Sequence, residues 1–243
     1  RPQEAVTCFG DVLRRDARHV EALFNRGAAY AALASPTEAL ADFDAVLRQA
    51  PNHPEALYNR GNALFDLGRP ADALAAFERA VALAPQHRKA WNNRGRALQA
   101  LNRHADALAA FNQALAIDKD DADARFNRSQ ALLTQGELRR GFADYEWRWK
   151  RTGMEGAVRK FGRPLWLGEY PLGHKTILLH AEQGLGATIQ FARYVPLIAR
   201  TGAKVVLEVQ PELKELLRPL DGVQSCHARG ETLPAFDVHC PLG

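Results

Sequence analysis

The chain has 243 residues, a formal net charge of +4 and 47% hydrophobic residues, which is typical of a folded globular protein. A length of this order accommodates one large domain or two modest ones. No apolar run approaches the roughly 18 residues that a membrane-spanning helix needs, so the sequence predicts no membrane span. The mild charge argues against a nucleic-acid-binding protein, which usually clusters its basic residues on one face.

The strongest local charge lies in residues 139–163, where eight Arg or Lys residues stand beside three acidic residues. Charge alone carries no sequence specificity, so we interpret this segment as a solvated connector next to a folded edge. Nucleic acid is therefore not an expected partner.

The cysteines Cys8, Cys226 and Cys240 argue against a disulfide framework, because their number is odd and their spacing shows no pairing. A reducing compartment is expected, and with it a cytoplasmic location. Two adjacent pairs, Cys226-His227 and His239-Cys240, have the chemistry of metal ligands. Their separation does not match zinc-site spacing, and neighbours on a strand point to opposite faces, so we predict neither a metal nor another cofactor.

An internal repeat organises the first part of the chain. The triplet Asn-Arg-Gly at 25–27 recurs at 59–61 and 93–95, and as Asn-Arg-Ser at 127–129, with a constant step of 34 residues. The same step relates an aromatic series, Phe43, Phe77, Phe111 and Tyr145, and a small-residue series, Ala39, Ala73, Ala107 and Gly141. Ala5 and Phe9 lie one step earlier, so residues 1–19 are predicted to be the second helix of a truncated repeat.

Each repeat is predicted to be two antiparallel amphipathic helices, for example residues 55–67 and 70–83. Gly68 ends the first helix, and Pro70 begins the second at a position where its missing N–H costs little. Gly61 is small where the two helices approach closely, and Phe77 fills the space between hairpins. Because one hairpin cannot bury its apolar face alone, we expect the hairpins to stack into a right-handed solenoid.

This 34-residue pattern resembles the tetratricopeptide repeat (TPR), and the resemblance covers roughly residues 1–150. It implies four TPR units over residues 20–150 and a protein or peptide partner. The last unit keeps Asn127 and Tyr145 and then carries Trp147 and Trp149 on either side of Arg148, which replaces the small residue of earlier repeats. We predict that these tryptophans cap the solenoid or dock the next domain.

In TPR geometry the first helix of each pair lines a concave groove, so the resemblance places an asparagine series on that lining: Asn25, Asn59, Asn93 and Asn127. An amide both donates and accepts hydrogen bonds, so such a row can hold an extended peptide backbone. The row resembles that of TPR-bearing protein O-glycosyltransferases. The alternative is that the asparagines bond the neighbouring helix and only hold the stack together.

Other side chains complete the predicted peptide-binding site. They lie one helical step from the asparagines and include Tyr58, Asn62, Arg96 and Phe126, together with Phe24 and Asn92. Arg96 and Lys89 could pair with an acidic ligand.

The periodicity changes after residue 150. Residues 151–175 are rich in Gly, Pro, Arg and aromatic residues and are predicted to be a connector with little regular structure. Strands are predicted at 176–180, 204–209, 223–227 and 236–240, and helices at 187–200 and 211–219. This alternation indicates a parallel sheet in a partial α/β, Rossmann-like domain over residues 176–243.

A glycine-containing turn, with Gly184 and Gly186, follows the first predicted strand and precedes a helix. Such a turn can hold a phosphate at the helix N-terminus. It lacks the third glycine of the dinucleotide fingerprint, so a tight turn needed by the fold is the default interpretation.

The run from His180 to Tyr194 resembles the start of the glycosyltransferase-like domain that follows TPRs in many bacterial proteins. It is similar to the N-terminal half of GT-B enzymes of the heptosyltransferase type, over about residues 164–243. The resemblance implies an aspartate general base after the glycine turn, but Ala187 occupies that position and cannot take a proton. It also implies a sugar-nucleotide partner only in a longer protein, because GT-B enzymes hold the donor mainly in their C-terminal half.

Two functions remain open from the sequence. The first is a protein-interaction module whose TPR groove binds a peptide, attached to a structural or inactive glycosyltransferase-like domain. The second is a fragment of a TPR-containing protein glycosyltransferase that modifies the recruited protein. The chain opens within a repeat and stops just after a predicted strand, so we expect it to be a fragment of a longer protein.

Overall fold

The computed structural model describes residues 1–154, 159 and 161–242. Contacts divide the chain into two compact units, Arg1–Val158 and Arg159–Gly243, each with its own hydrophobic core.

The first unit is helical throughout its described length, and each helix packs mainly on its neighbours in sequence. Its helices are α1 (Pro2–Arg15), α2 (Val20–Ala32), α3 (Pro36–Gln49), α4 (Pro54–Asp66), α5 (Pro70–Leu83), α6 (Arg88–Ala100), α7 (His104–Ile117), α8 (Ala122–Thr134) and α9 (Leu138–Tyr145). A short 3₁₀ helix, Glu146–Lys150, follows α9. The predicted series of helical hairpins is confirmed, with α4 and α5 within one residue of the predicted ends.

Each central hairpin depends on a glycine that lies against an aromatic ring. A Cβ atom added at Gly61 would lie 2.5 Å from the Phe77 ring, which is only 1% exposed and therefore has little room to move. The same arrangement recurs in two other hairpins: Gly27 with Phe43, and Gly95 with Phe111. Phe77 also shares a core cluster with Ala97 of the next hairpin. The predicted close approach of helices at Gly61 is therefore present, and Phe77 packs both within and between hairpins.

The arginine of each repeated triplet links the first helix of a hairpin to a second helix. Arg26 donates two hydrogen bonds to the buried carboxylate of Asp42, at 2.8 and 2.7 Å, and this interaction raises the pKa of Arg26. Arg128 bonds the buried Asp144 at 2.6 and 3.1 Å. In the two middle repeats the acid lies on the second helix of the preceding hairpin. Arg60 on α4 bonds Asp44 on α3, and Arg94 on α6 bonds Glu78 on α5.

The 3₁₀ helix after α9 holds both tryptophans that the sequence analysis singled out. Two cations lie close to the indole of Trp147. The guanidinium of Arg125 is 4.2 Å from a ring centroid, and the ammonium of Lys150 is 3.7 Å from one. Arg148 is 5% exposed, and its guanidinium lies 4.5 Å from the Trp149 ring. These contacts lie within the first unit, and the role of the tryptophans, to cap the solenoid or to dock the next domain, stays a prediction.

The second unit contains a four-stranded parallel sheet in the order β3-β2-β1-β4. Its strands are β1 (Thr176–Ala181), β2 (Lys204–Val209), β3 (Val223–Ala228) and β4 (Val238–Leu242). Its helices are α10 (Leu185–Ala192), α11 (Val195–Ala199) and α12 (Lys214–Leu217), the last preceded by a 3₁₀ turn, Pro211–Leu213. The core contains alternate strand residues, such as Ile177, Leu179, Val205 and Leu207, together with Ala192 and Val195. The predicted parallel sheet is confirmed.

Three predicted elements of this unit differ from the structure. The single helix predicted at 187–200 is two helices, because Pro196 has no N–H and its ring clashes with the carbonyl four residues earlier, at Ala192. The helix predicted at 211–219 is a 3₁₀ turn followed by one short α-helical segment. The fourth strand begins at Val238, which pairs with Ile177, rather than at Phe236.

The two Cys/His pairs lie on opposite edges of the sheet. Cys226 and His227 are on β3, and His239 and Cys240 are on β4, with β2 and β1 between them. Across the described residues, no group of three or more His, Cys, Asp or Glu side chains is placed to hold a metal ion. Cys8, Cys226 and Cys240 form no disulfide bond in the structure.

No helix in the described ranges is long and apolar enough to cross a membrane.

The turn inside each hairpin places one residue in the left-handed backbone region, again at a step of 34 residues. The φ angle is +54° at Ala34, +72° at Gly68, +59° at Asn102 and +79° at Gly136. Glycine adopts this region without steric cost and asparagine tolerates it, whereas the Cβ of alanine crowds the following carbonyl. Ala34 is therefore a strained turn residue, and Gly68 follows the end of α4 as predicted.

The Ala34→Gly substitution should raise the free energy of unfolding by about 0.5–1 kcal/mol. The left-handed penalty of about 1–2 kcal/mol for alanine exceeds the extra backbone entropy that glycine loses on folding. Gly68→Ala is the matched control and should lower the free energy of unfolding. Urea unfolding followed by circular dichroism measures both, and an unchanged or lower midpoint for Ala34→Gly would contradict the assignment of strain.

Candidate functional site

A polar pocket of ≈ 430 Å³ lies between α4, α6 and α8 of the first unit, and we call it the α4–α6–α8 pocket. Four uncharged side chains line it: Tyr58, Asn92, Asn93 and Asn127. Its charged lining consists of Arg88, Lys89, Arg96, Asp121, Asp123 and Arg151. The pocket therefore brings together side chains of three successive repeats.

Aromatic side chains and histidines fill the corresponding space at the two preceding repeat junctions. Phe24 stacks on His53 with ring centroids 5.3 Å apart, and Tyr58 lies 4.7 Å from His87. Both histidines are also N-caps, because the Nδ1 atom of each accepts a hydrogen bond from a backbone N–H at 3.2 Å. One pair of rings thus closes each junction while the histidine starts the next helix.

The next junction along the chain has no such pair of rings. Asn92 stands one step of 34 residues after Tyr58, and Asp121 stands one step after His87. Asp121 still caps its helix, since its carboxylate accepts a hydrogen bond from the N–H of Ala124 at 3.0 Å. Neither side chain is as large as the ring that it replaces, so space remains at this junction, and polar groups line it.

Hydrogen bonds among asparagines cross the floor of the pocket from one repeat to the next. Asn93 donates to the side-chain oxygen of Asn62 at 2.7 Å, and Asn127 donates to that of Asn92 at 3.0 Å. Asn92 and Asn93 are linked more weakly, at 3.4 Å. The bonding of neighbouring helices, left open as the alternative role for these asparagines, is therefore present.

The hydrogen bonds between asparagines use only part of the hydrogen-bonding capacity of the side-chain amides. Each amide has two N–H donors and an oxygen with two acceptor sites, so Asn127 keeps one N–H and its oxygen for a ligand. Asn93 donates to Asn62 and Tyr58 and accepts from Asn92 and Arg96, and three of these four contacts are long, at 3.4–3.5 Å. A ligand can therefore bond Asn93 by replacing one of the long contacts. The structural role and the peptide-binding role are thus compatible at these positions.

The predicted site residues fall into three groups. Tyr58, Asn93, Arg96 and Asn127 line the α4–α6–α8 pocket, whereas Asn62 lines an adjacent pocket that shares Asn93 and Arg96 with it. Asn25, Asn59 and Phe126 do not line either pocket. Phe126 instead packs on Tyr145, with centroids 5.8 Å apart, and lies 4.5 Å below the guanidinium of Arg151.

Sequence reasoning missed four charged residues of the pocket: Arg88, Asp121, Asp123 and Arg151. A signal for one of them was present in the repeat itself. The N-cap position holds histidine at 19, 53 and 87 and then changes to aspartate at 121, in the same junction where the aromatic series changes to Asn92.

The glycine turn of the second unit lies at the start of α10. Gly184 is the N-cap, and Gly186 and Ala187 are in the first turn of the helix. A Cβ atom added at Gly184 or Gly186 would meet no atom within 4 Å, and neither glycine has a left-handed φ. Neither the space nor the backbone conformation therefore demands glycine at these two positions, and the interpretation of the segment as a tight turn needed by the fold stays a prediction.

A cluster of buried polar side chains lies on one face of the sheet in the second unit. Nε2 of His180 is 3.2 Å from Nδ1 of His239, and Phe161 packs on both rings, with centroids 4.7 and 4.8 Å away. Glu208, opposite His180 on β2, is 1% exposed and pairs with Arg159. Burial, and secondarily the charges of His239 and Arg159, lowers the pKa of His180 to about 3.

The first unit is thus an α-solenoid of helical hairpins that carries a polar pocket between successive first helices. The tetratricopeptide repeat family model matches residues 1–54, 29–88, 58–122 and 92–146, which together cover more than half of the chain. The chain belongs to the tetratricopeptide repeat family.

Several solved structures resemble the chain. MamA from Desulfovibrio magneticus RS-1 is 24% identical, covering 65% of this chain and 88% of that one, with a TM-score of 0.55. YrrB, described as a TPR protein with an unusual peptide-binding site, is 22% identical over 61% of this chain and 77% of that one, with a TM-score of 0.54. A thermophilic TPR protein from Thermus thermophilus is 21% identical over 63% and 84%, with a TM-score of 0.52. At these sequence identities the likeness to solved structures shows the fold alone. A search of curated proteins found no match to the chain.

The variants Asn93→Ala and Asn59→Ala separate the two roles of the asparagine series. Asn59 makes no side-chain hydrogen bond with another described residue, whereas Asn93 bonds Asn62 between repeats. Asn93→Ala should therefore be less stable than Asn59→Ala by about 1 kcal/mol, the net contribution of a hydrogen bond. The gain in helix propensity is the same for both, so their difference in urea midpoint reports the side-chain hydrogen bonds of Asn93, of which the bond to Asn62 is the shortest. Equal midpoints would show that the asparagine bonds do not hold the stack together.

The second unit should lose stability as the pH falls from about 6.5 towards 3. The folded His180 has a pKa of about 3 and the unfolded side chain one of 6.5, so between these values the unfolded state binds a proton that the folded state does not. Hydrogen exchange of amides in β1 and β2, recorded at pH 7 and pH 4.5, measures this loss of protection. His180→Gln should reduce the pH dependence, and a wild-type profile that is flat over this range would contradict the assignment.

Proposed function

We propose that the first unit is a protein-interaction module that binds an extended peptide segment of a partner protein in the α4–α6–α8 pocket. The TPR fold itself favours a protein or peptide partner, because stacked hairpins present extended recognition surfaces. The chain carries this fold over residues 1–146. The proposed peptide-binding residues are Tyr58, Asn93, Arg96 and Asn127, with Asn92 and Asn62 supporting them.

The observation that carries the proposal is the amide row that begins at Asn62, in the adjacent pocket, and continues through the α4–α6–α8 pocket. Asn62, Asn93, Asn92 and Asn127 follow one another across α4, α6 and α8. Their hydrogen bonds to one another fix the orientation of the amides before any ligand arrives, which reduces the ordering cost of binding. An extended backbone presents N–H and C=O groups that amides can bond without reading side chains.

Two further observations support a peptide as the ligand. The space exists because small polar residues replace a ring pair that closes the preceding junctions, at Phe24–His53 and Tyr58–His87. YrrB, which shares the fold, is described as having a peptide-binding site. We also expect a cytoplasmic location, in keeping with the odd number of cysteines and with their not being paired in disulfide bonds.

A second candidate function is that of a fragment of a TPR-containing protein glycosyltransferase. The strand order β3-β2-β1-β4 matches the first four strands of the doubly wound order 3-2-1-4-5-6, and this favours a partial Rossmann-like, GT-B-type domain. Ala187 at the expected base position argues against catalysis by this chain. Calorimetric titration with UDP-, GDP- and CMP-sugars tests it: saturable binding favours the enzyme, and its absence leaves the interaction module as the function.

A variant that restores the ring pair should abolish peptide binding while the fold is retained. In the double variant Asn92→Tyr/Asp121→His, the junction acquires the residues found at Tyr58 and His87, so the rings should fill the pocket. Peptides selected from a random display library on the wild-type chain should bind this variant at least tenfold more weakly. Fluorescence anisotropy measures the affinity, and circular dichroism checks the helical content.

The matched control is Asn59→Ala, which changes an asparagine of the same series outside the pocket. It should bind the selected peptides as the wild type does. Unchanged peptide affinity in the filled variant, with native helical content, would refute the proposed site.

A further inference from the structure

Two of the four cations in the α4–α6–α8 pocket already have acidic partners. Arg88 pairs with Asp121, and Arg151 donates to Asp123 at 2.7 Å. Lys89 and Arg96 have no acidic side chain within salt-bridge distance among the described residues. The pocket therefore has an excess of two positive charges that no described residue neutralises.

These two cations stand on opposite sides of the amide row. Lys89 precedes Asn92 and Asn93 on α6 by about one helical turn, and Arg96 follows them by about one turn, which is roughly 5.4 Å of helix on each side. Both side chains line the pocket, so they lie on the face that the amides share. The guanidinium of Arg96 is held 4.8 Å from the Phe65 ring, which restricts its position before binding.

We propose that the pocket recognises an extended peptide segment with two adjacent acidic residues, an inference that rests on the proposed function. A backbone that follows the amide row crosses α6 between Lys89 and Arg96. Successive side chains of an extended chain point to opposite sides. Two neighbouring Asp or Glu side chains would then reach one cation each, whereas acids two residues apart would both point to the same side.

Charge within the pocket favours a short acidic pair over a continuous polyanion. Asp121 and Asp123 lie on the α8 side of the lining, so a longer run of negative charge along the row would approach two carboxylates. A nucleic acid strand, which carries a phosphate at every nucleotide, would meet the same carboxylates. The amides in turn suit a peptide backbone.

Three synthetic peptides of equal length test the proposal on the full chain. Each is an acetylated, amidated and fluorescently labelled octapeptide of serine with two substitutions: adjacent glutamates, glutamates separated by one serine, or adjacent glutamines. The two acidic peptides have the same composition and net charge and differ only in spacing. Fluorescence anisotropy at low salt should show the adjacent-glutamate peptide binding about tenfold tighter than either of the others, the size expected for one charge-assisted hydrogen bond.

Substitution of the two cations completes the test. Lys89→Gln and Arg96→Gln should each weaken the adjacent-glutamate peptide by about five- to tenfold and remove its advantage over the separated isomer. Both residues are exposed, and circular dichroism confirms that the variants fold. Arg139→Gln makes the same change of charge at an exposed arginine of α9 outside the pocket and should leave all three affinities unchanged.

Several results would contradict the inference. The first of them would still support the proposed function, because the pocket would bind peptides. If all three peptides bind equally and the filled variant Asn92→Tyr/Asp121→His loses them all, the pocket binds peptides without an acidic preference. If none of the three binds, no acidic pair is recognised. Tighter binding of a serine peptide with a free C-terminal carboxylate would identify a chain terminus as the ligand. Tighter binding of an oligothymidylate, lost in Lys89→Gln, would identify a nucleic acid.

Discussion

The first unit depends on one contact that is repeated in its hairpins: a buried phenylalanine ring lying against a glycine. The ring of Phe77 leaves no room for a Cβ atom at Gly61, so the two helices of the hairpin approach at a fixed distance. Because the contact recurs every 34 residues, successive first helices are presented at regular intervals. Side chains about 34 residues apart can then meet, as Asn127 and Asn92 do at 3.0 Å.

The α4–α6–α8 pocket follows from a local break in this regularity rather than from the repeat itself. Where Phe24 and Tyr58 meet histidines, the junction is closed by rings. Asn92 and Asp121 occupy the same positions one step later, and they keep the helix cap while leaving space. The packing that stabilises the solenoid is thereby preserved in the glycine–ring contacts, and the polar lining of the pocket occupies positions that those contacts do not need.

Much of this arrangement could be predicted from the sequence, because residues that recur at a fixed step occupy equivalent positions in the packed hairpins. The 34-residue step predicts the hairpins, and the alternation of predicted strands and helices predicts the parallel sheet. The break at Pro196 follows from the sequence as well, because a proline in the interior of a predicted helix ends or kinks it. The partners of charged residues were not predictable: Arg26 bonds an acid of its own hairpin and Arg60 one of the preceding hairpin, although both occupy the same repeat position. Pairing of this kind depends on which acid happens to lie within reach after folding.

The site was predictable only in part for the same reason. Asn93 and Asn127 belong to the pocket, but Asn25 and Asn59, which share their repeat position, do not. A series in the sequence identifies equivalent positions, whereas a pocket depends on what the neighbouring positions hold. The relevant neighbours here, Asn92 and Asp121, are notable for departing from their own series.

Nuclear magnetic resonance of the asparagine side-chain amides tests the central claim most directly. Titration of the full chain with the adjacent-glutamate peptide should shift the amide resonances of Asn92, Asn93 and Asn127 together, with one saturation curve, and leave those of Asn25 and Asn59 unchanged. Saturable shifts confined to Asn25 and Asn59, or to residues outside the α4–α6–α8 pocket, would contradict the account.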